Sequence, residues 1–261
     1  MHLTHEDNPE IATLRRRMDA FYASSADYPA FQQPSDNPEE WTCVKETILQ
    51  HLRTEETCHV LEFGVGRTGF PGWLGELRKS VRFTAQDVTP TNADYLQSQA
   101  DKVQIGKISD IHGSFDVIFS TFVLEHMSDP KHTLETLLKL LRPGGALLLF
   151  CPRYDFPFYL SHSADHYGWF QRLRIAMYLC WRRLATVLTR RPAFIVHADP
   201  ALLHMEWQMD RDAIHWASLI DLRMFFRNRG QIQKLVIRSG SVKDWCVKNF
   251  LRINLRFTPA S

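Results

Sequence analysis

The chain has 261 residues, 44% of them hydrophobic and 23% charged, with 31 basic and 29 acidic side chains. That is enough for one large domain with elaborations or two small ones, and it excludes wholesale disorder, a collagen-like fibre and a coiled-coil rod. The net charge of +2 gives no whole-chain argument for nucleic-acid binding, but residues 1–60 carry 11 acidic against 5 basic side chains and residues 151–191 carry 7 arginines against 2 aspartates, so an anionic partner would meet the second region.

The first residues, MHLTHEDNPE, are acidic and lack the apolar core of a signal peptide. Ile11, Leu14, Met18 and Phe21 recur at helical spacing and predict a helix over Glu10–Ala23. Ser24–Pro38 holds three prolines and reads as a linker. Glu39–Arg53 is predicted helical, opened by two acids that suit the positive end of the helix dipole. Cys58–Phe63 is a short apolar run ending in glycines, the pattern of a buried strand. Val81–Val88 and Phe115–Thr121 read likewise. Lys131–Leu141 predicts a helix stopped by Arg142-Pro143-Gly144-Gly145, and Ala146–Cys151 a strand apolar on both faces. After Pro152 about sixty residues rich in Arg, His and aromatics interrupt the alternation, too many for structureless loop. Ala213–Arg229 then predicts a helix, Gln231–Arg238 a strand, and Phe250–Phe257 a half-exposed antiparallel strand of period two.

Strands alternating with helices predict an α/β fold. The expectation is a doubly wound, mostly parallel sheet with an antiparallel C-terminal strand, an N-terminal helical cap and a mainly helical insertion. The divisions are a cap at 1–55, a core of 56–152 and 213–261, and a substrate-binding insertion at 153–212. The five cysteines, Cys43, Cys58, Cys151, Cys180 and Cys246, are odd in number and form no C-x-x-C pair. Reduced thiols, no metal site and a cytoplasmic protein are therefore expected. The longest apolar run, Ile175–Trp181, is far short of the ~20 residues of a membrane span.

Gly64-Val65-Gly66-Arg67-Thr68-Gly69 fits G-x-G-x-x-G after a strand. Asp87 follows 21 residues after Gly66 at the end of the next strand, where a carboxylate can take both hydroxyls of a ribose. Glu62, two residues before the first glycine, would repel a pyrophosphate and suits a cation. That weighs against a nicotinamide-dinucleotide site.

LEFGVGRTG, the AQDV strand end, GSFDVIFSTFVLEHMSDP and LLRPGG occur in this order over Val60–Pro152. With them the chain resembles the class I S-adenosylmethionine-dependent methyltransferases, in the group that includes the ubiquinone-type enzymes. The resemblance implies a Rossmann-like core and S-adenosylmethionine as cofactor. It implies that Glu62 faces the methionine amino group, Gly64 and Gly66 pass beneath the methionine and ribose, and Asp87 binds the ribose diol. Val88 would lie beside the adenine and Ser120 near the methionine moiety. Lys107 stands where the family often has an acid for the adenine amino group, and lysine cannot accept that hydrogen bond. Ile108 stands next to it; either Asp110 substitutes for the acid or the adenine is held by shape and backbone alone.

Ligands of such sheets bind beyond the carboxyl ends of the strands, so the insertion after Pro152 should overhang the methyl group. In it Phe170, Leu173, Met177, Trp181, Leu184 and Leu188 form one helical stripe, with Arg172, Arg183 and Arg190 near the opposite side. The stripe suits a lid helix packed on the core with solvated arginines. The same basic, Trp-bearing pattern over 169–191 also suits an anionic membrane surface at the inner face of the membrane, or an anionic substrate. His162 and His166 would share a face if helical, and with His126 of LEHMSDP they are the candidate general bases for a hydroxyl acceptor. Tyr167, Asp199, His204 and Trp207 supply acceptors and flat apolar platforms for a hydroxyl-rich ligand.

The expected activity is methyl transfer to an oxygen of a small-molecule or glycan acceptor. The alternatives are a lipid-linked or membrane-associated acceptor, or a non-catalytic protein that keeps the cofactor pocket and binds a partner. No nucleic-acid partner is expected: no recognised binding module is present, and CPRY stands where an N-P-P-Y type signature would follow the strand.

Overall fold

In the computed structural model, the described residues are 12–14, 16–18, 20, 37–197 and 212–260. Residues 12–14, 16–18 and 20 are helical, as the periodicity predicts, and the proline-rich linker at 24–36 lies outside the described residues. Helix α1 (Pro38–His51) leads into strand β1 (Cys58–Phe63), the short helix α2 (Phe70–Trp73) and β2 (Val81–Asp87). Helix α3 (Ala93–Gln99), β3 (Lys102–Ile105) and β4 (Phe115–Thr121) follow, then α4 (Pro130–Leu140) and β5 (Leu141–Pro152). The long helix α5 (Trp169–Thr189) precedes α6 (Leu219–Phe226), β6 (Gly230–Lys234), α7 (Val242–Phe250) and β7 (Arg252–Pro259).

The seven strands form one sheet in the order β3-β2-β1-β4-β5-β7-β6. The contacts from β3 to β5 are all parallel, and β7 runs antiparallel to both β5 and β6. The direction of winding reverses between β1 and β4, which opens a crevice at their carboxyl ends. Alternate strand residues feed two cores, as a sheet covered on both faces requires. Leu61, Ile118, Leu147, Leu149 and Phe257 pack against α4 and α6 on one side. Val60, Phe83, Phe119, Leu148 and Phe150 pack against Trp41, Val44 and Ile48 of α1 on the other, with Phe70 of α2 and Leu96 of α3. Each such side chain contributes ~1.5–3 kcal/mol by leaving water.

Five expectations need correction. Arg142-Pro143-Gly144-Gly145 does not precede the strand but lies in it: β5 starts at Leu141, and the register slips between its pairings with Phe115 and Val117. The helix expected over Ala213–Arg229 is confined to Leu219–Phe226, because residues 213–217 run extended and buried, with His215 bridging Val196. The strand expected to Arg238 ends at Lys234, and α7 fills the connection. β7 is not half-exposed. Its polar positions meet the protein: Arg252 pairs with Glu40, Asn254 donates to Lys248 O, and Arg256 donates to Gln50. The insertion is mainly helical only in α5; its other described residues form coil and a single turn of 3₁₀ helix at His162–Ala164.

Helix α5 also inverts the expected lid. Its buried residues are Ala176, Leu179, Arg183 and Thr186. Arg183 is buried on Asp221 of α6 and donates to Trp216 O at 2.6 Å, while Thr186 Oγ1 donates to the same aspartate at 3.1 Å. The stripe through Phe170, Met177, Trp181, Leu184 and Leu188 faces solvent.

Candidate active site

The carboxyl ends of β1, β2 and β4 bring the predicted glycine loop and its acids together. Gly64 and Gly66 both have positive φ, +68° and +54°. A side chain at Gly64 would also meet Val123 at 2.3 Å, so this position is restricted to glycine by the neighbouring loop as well as by its backbone. Gln86 and Asp87 of β2 hold the turn. Gln86 Oε1 accepts from Gly64 N at 3.1 Å, and Gln86 Nε2 donates to Gly106 O at 2.9 Å. Asp87 Oδ2 accepts from Gly66 N at 2.7 Å and Oδ1 from Thr89 N at 3.0 Å. Burial raises the Asp87 pKa, against these backbone donors. Oδ1 also accepts from the Thr89 hydroxyl at 3.5 Å, so Oδ2 is the oxygen that keeps a second lone pair for an incoming hydroxyl.

Glu62 is buried, and burial pushes its carboxyl up to about 8, against a hydrogen bond from Thr68. Thr68 Oγ1 in turn accepts from Phe70 N at 3.1 Å, at the start of α2. Glu62 Oε2 has no partner. An orphaned carboxylate oxygen beside a glycine turn fits a cationic hydrogen-bond donor. The Thr121 hydroxyl, at the end of β4, is a second buried polar atom without a partner. Ser120 beside it is buried. Val88 is 45% exposed next to Asp87, an apolar surface open to a ring. Ile108 packs partly against the core. Asp110 folds back on its own turn, where Oδ2 accepts from Lys107 N at 3.2 Å.

The candidate bases separate. His162 is exposed and pairs with Asp165 at 2.9 Å; His166 is also exposed and lies against the Tyr167 ring, outside the single 3₁₀ turn, so the two share no helical face. His126 sits in a 3₁₀ turn just beyond β4, half-buried, with Nδ1 3.1 Å from Asp212 Oδ2. The extended segment after Asp212 locks this turn: His215 N donates to Glu125 O, and His215 Nδ1 lies 2.8 Å from Leu124 O. A carbonyl partner requires the proton on Nδ1, and burial holds the His215 pKa down at about 4, so this ring is neutral and positional. Phe122, with φ +57°, makes the sharp turn between strand and histidine.

Tyr167 reaches His197, Oη to Nε2 3.2 Å, and the His197 ring stands edge-on to Trp216. Asp199, His204 and Trp207 lie outside the described residues. Among the described residues, His51, Cys58 and Asp116 bring potential metal-ligand atoms within 4.8 Å of one another. Asp116, at the amino ends of the strands, accepts from His59 N and Arg142, and burial pushes the Cys58 thiol up to about 12.

Thr68 and Gln86 are neighbours of the site that pattern reading did not assign, and Asp212 and His215 belong to a polar, aromatic stretch that reads as acceptor-binding surface rather than as partners of the turn at His126.

A family model described as a methyltransferase domain matches residues 16–230. A tRNA U34 carboxymethyltransferase of Pseudoalteromonas atlantica is 31% identical over 118 residues, covering 40% of this chain and 35% of that protein. The mitochondrial ubiquinone biosynthesis O-methyltransferase of Schizosaccharomyces pombe is 32% identical over 101 residues, covering 34% of this chain and 36% of that protein. The matched segments thus span about a third of these relatives' length. Among solved structures, the carbon methyltransferase of CurJ superposes with a TM-score of 0.51 at 16% identity, covering 98% of this chain and 62% of that one, a likeness of fold.

Proposed function

The chain belongs to the methyltransferase domain family, whose cofactor is S-adenosylmethionine, and from that premise we propose that it transfers a methyl group to an oxygen of a small-molecule or glycan acceptor. The cofactor supplies a methyl on sulfonium, already activated for attack. Glu62 Oε2 receives the methionine ammonium, Asp87 the ribose hydroxyls, and Val88 with Ile108 flanks the adenine. Ser120 and Thr121 border the methionine moiety. His126 accepts the acceptor's proton as its oxygen attacks, with Asp212 orienting the ring and stabilising the imidazolium.

The observation that carries this reading is the His126–Asp212 pair, 3.1 Å apart beyond β4 and beside the crevice. His162 and His166, exposed in the insertion, are better suited to contact with the acceptor than to proton transfer. Tyr167 serves the same contact, and Asp199, His204 and Trp207 remain proposed acceptor-binding residues.

The test is release of S-adenosylhomocysteine across a panel of phenols, alcohols and oligosaccharides. With an accepted substrate, His126→Ala should lower kcat by ~100-fold or more, and the acid limb of the wild-type pH profile should disappear with it. Asp212→Asn should lower kcat while leaving KM for the cofactor unchanged. Full turnover in both variants would move the base elsewhere. Cofactor binding without turnover on any acceptor would favour a non-catalytic partner protein.

A further inference from the structure

Helix α5 exposes what a helix of a globular protein usually buries. Trp169, Phe170, Trp181 and Leu188 are each between 65% and 72% exposed, and Met177, Leu184 and Val187 at least half. At 100° per residue, Phe170, Met177, Trp181, Leu184 and Leu188 fall within about 60° of one another, a stripe along ~27 Å of helix. The other side is fixed by the ion pair of Arg183 with Asp221, so the helix cannot roll to bury the stripe. A contiguous apolar patch of this kind marks an interaction surface.

Charge decides what covers it. Residues 169–191 hold six arginines and no acid. Arg174, Arg182, Arg190 and Arg191 make no ion pair among the described residues; Arg174 borders the stripe on the helix wheel, and Arg182 lies further round, over the Tyr178 ring. Two copies of the chain meeting through this face would set arginines against arginines. An anionic bilayer offers each part of the helix its complement: phosphates for the guanidinium groups, and the headgroup–acyl boundary for Trp, Phe and Leu. No helix among the described residues is long and apolar enough to cross a membrane, so the contact is superficial.

We propose that α5 is a membrane-docking helix that lies flat on an anionic bilayer. Its apolar stripe enters the headgroup–acyl boundary and its arginines sit at phosphate level. The inference stands on the helix surface and is independent of the methyl-transfer reading.

The test is co-sedimentation of the full chain with vesicles of phosphatidylcholine alone and of phosphatidylcholine mixed with phosphatidylglycerol. The chain should pellet with the mixed vesicles and less as salt is added. Trp181→Glu and Leu188→Glu should each weaken binding by about 10- to 100-fold. Arg174→Gln with Arg182→Gln should weaken it by about 30-fold, at roughly fivefold per arginine. Val242→Glu, an exposed apolar position on α7, should leave binding unchanged and serves as the control. Arg182 is half-buried and the other positions are exposed, and circular dichroism verifies the fold. Absence of pelleting with anionic vesicles overturns the proposal, as does pelleting that Trp181→Glu and Leu188→Glu leave intact. A dimer in analytical ultracentrifugation that Trp181→Glu dissociates, without vesicle binding, assigns the face to a second copy instead.

Discussion

Glu62 carries a positive signal in the sequence and a liability in the fold. With its pKa raised from 4.5 to about 8 by burial, the folded chain holds a proton at pH 6 that the unfolded chain releases. A raised folded-state value contributes stability below the unfolded pKa, and that contribution is lost as pH rises through about 8. In urea titrations the ligand-free wild type should therefore lose on the order of a few kcal/mol more than Glu62→Gln between pH 5 and pH 8. Parallel curves would mean that the carboxyl is already ionised and compensated. In the proposed site the methionine ammonium would reverse the preference by stabilising the carboxylate, so binding near pH 6.5 should expel about one proton in the wild type and none in Glu62→Gln. Calorimetry in buffers of different ionisation enthalpy reads that difference directly. The carboxylate was legible because a charge ahead of a glycine turn has few structural uses. Thr68 was not, since its role depends on a turn that brings its hydroxyl back to Glu62.

Helix α5 and helix α6 are joined by buried charge. Asp221 accepts from Arg183, from Thr186 Oγ1, and from the backbone N–H groups of Ala193 and Phe194. Asp221→Ala leaves the Arg183 guanidinium buried beside only Asp155 and the Trp216 carbonyl, and should cost about 3–5 kcal/mol in urea denaturation. Changing Arg183→Met together with Asp221→Leu should recover part of that loss, because two apolar residues leave no uncompensated charge. A double variant as unstable as Asp221→Ala would assign the effect to the backbone bonds at 193–194. The same pair explains why periodicity misread this helix. Spacing reports that a helix has an apolar stripe but not which side the rest of the chain occupies. A single buried arginine settled the orientation, and nothing in its neighbours distinguishes Arg183 from Arg182. The strands were more legible. β1 and β4 match their predicted limits, since runs apolar on both faces suit a sheet covered on both sides. The short α3, edge strand β3 and surface helix α7 escaped because each buries little and so leaves only a weak pattern.

At the scale of the whole molecule, one topological fact gathers the site. Glu62, Asp87 and Thr121 end three adjacent strands, and the reversal of winding between β1 and β4 leaves their carboxyl edge uncovered by a crossover helix. The four motifs were legible in order, and their convergence follows from right-handed crossovers. The acceptor side was not legible, because it depends on how a long insertion returns over that edge. A site assembled from separate strand ends links ligand binding to the stability of the sheet. S-adenosylmethionine and S-adenosylhomocysteine at 100 times their dissociation constants should each add ~2.7 kcal/mol, raising the melting temperature by about 5–10 °C. NAD should leave it unchanged, because it brings no ammonium to the buried Glu62 carboxyl. Asp87→Asn retains the shape of the side chain but not its charge. It should lower the ligand-free melting temperature, because one of the N–H groups of Gly66 and Thr89 then faces an NH2, and it should abolish most of the shift, since the ribose diol in the proposed site would face a carboxamide able to accept through only one oxygen. Equal shifts in wild type and Asp87→Asn would remove the ribose from this position. A shift with NAD and none with the two sulfur ligands would overturn the cofactor assignment, and with it the role drawn for the crevice between β1 and β4.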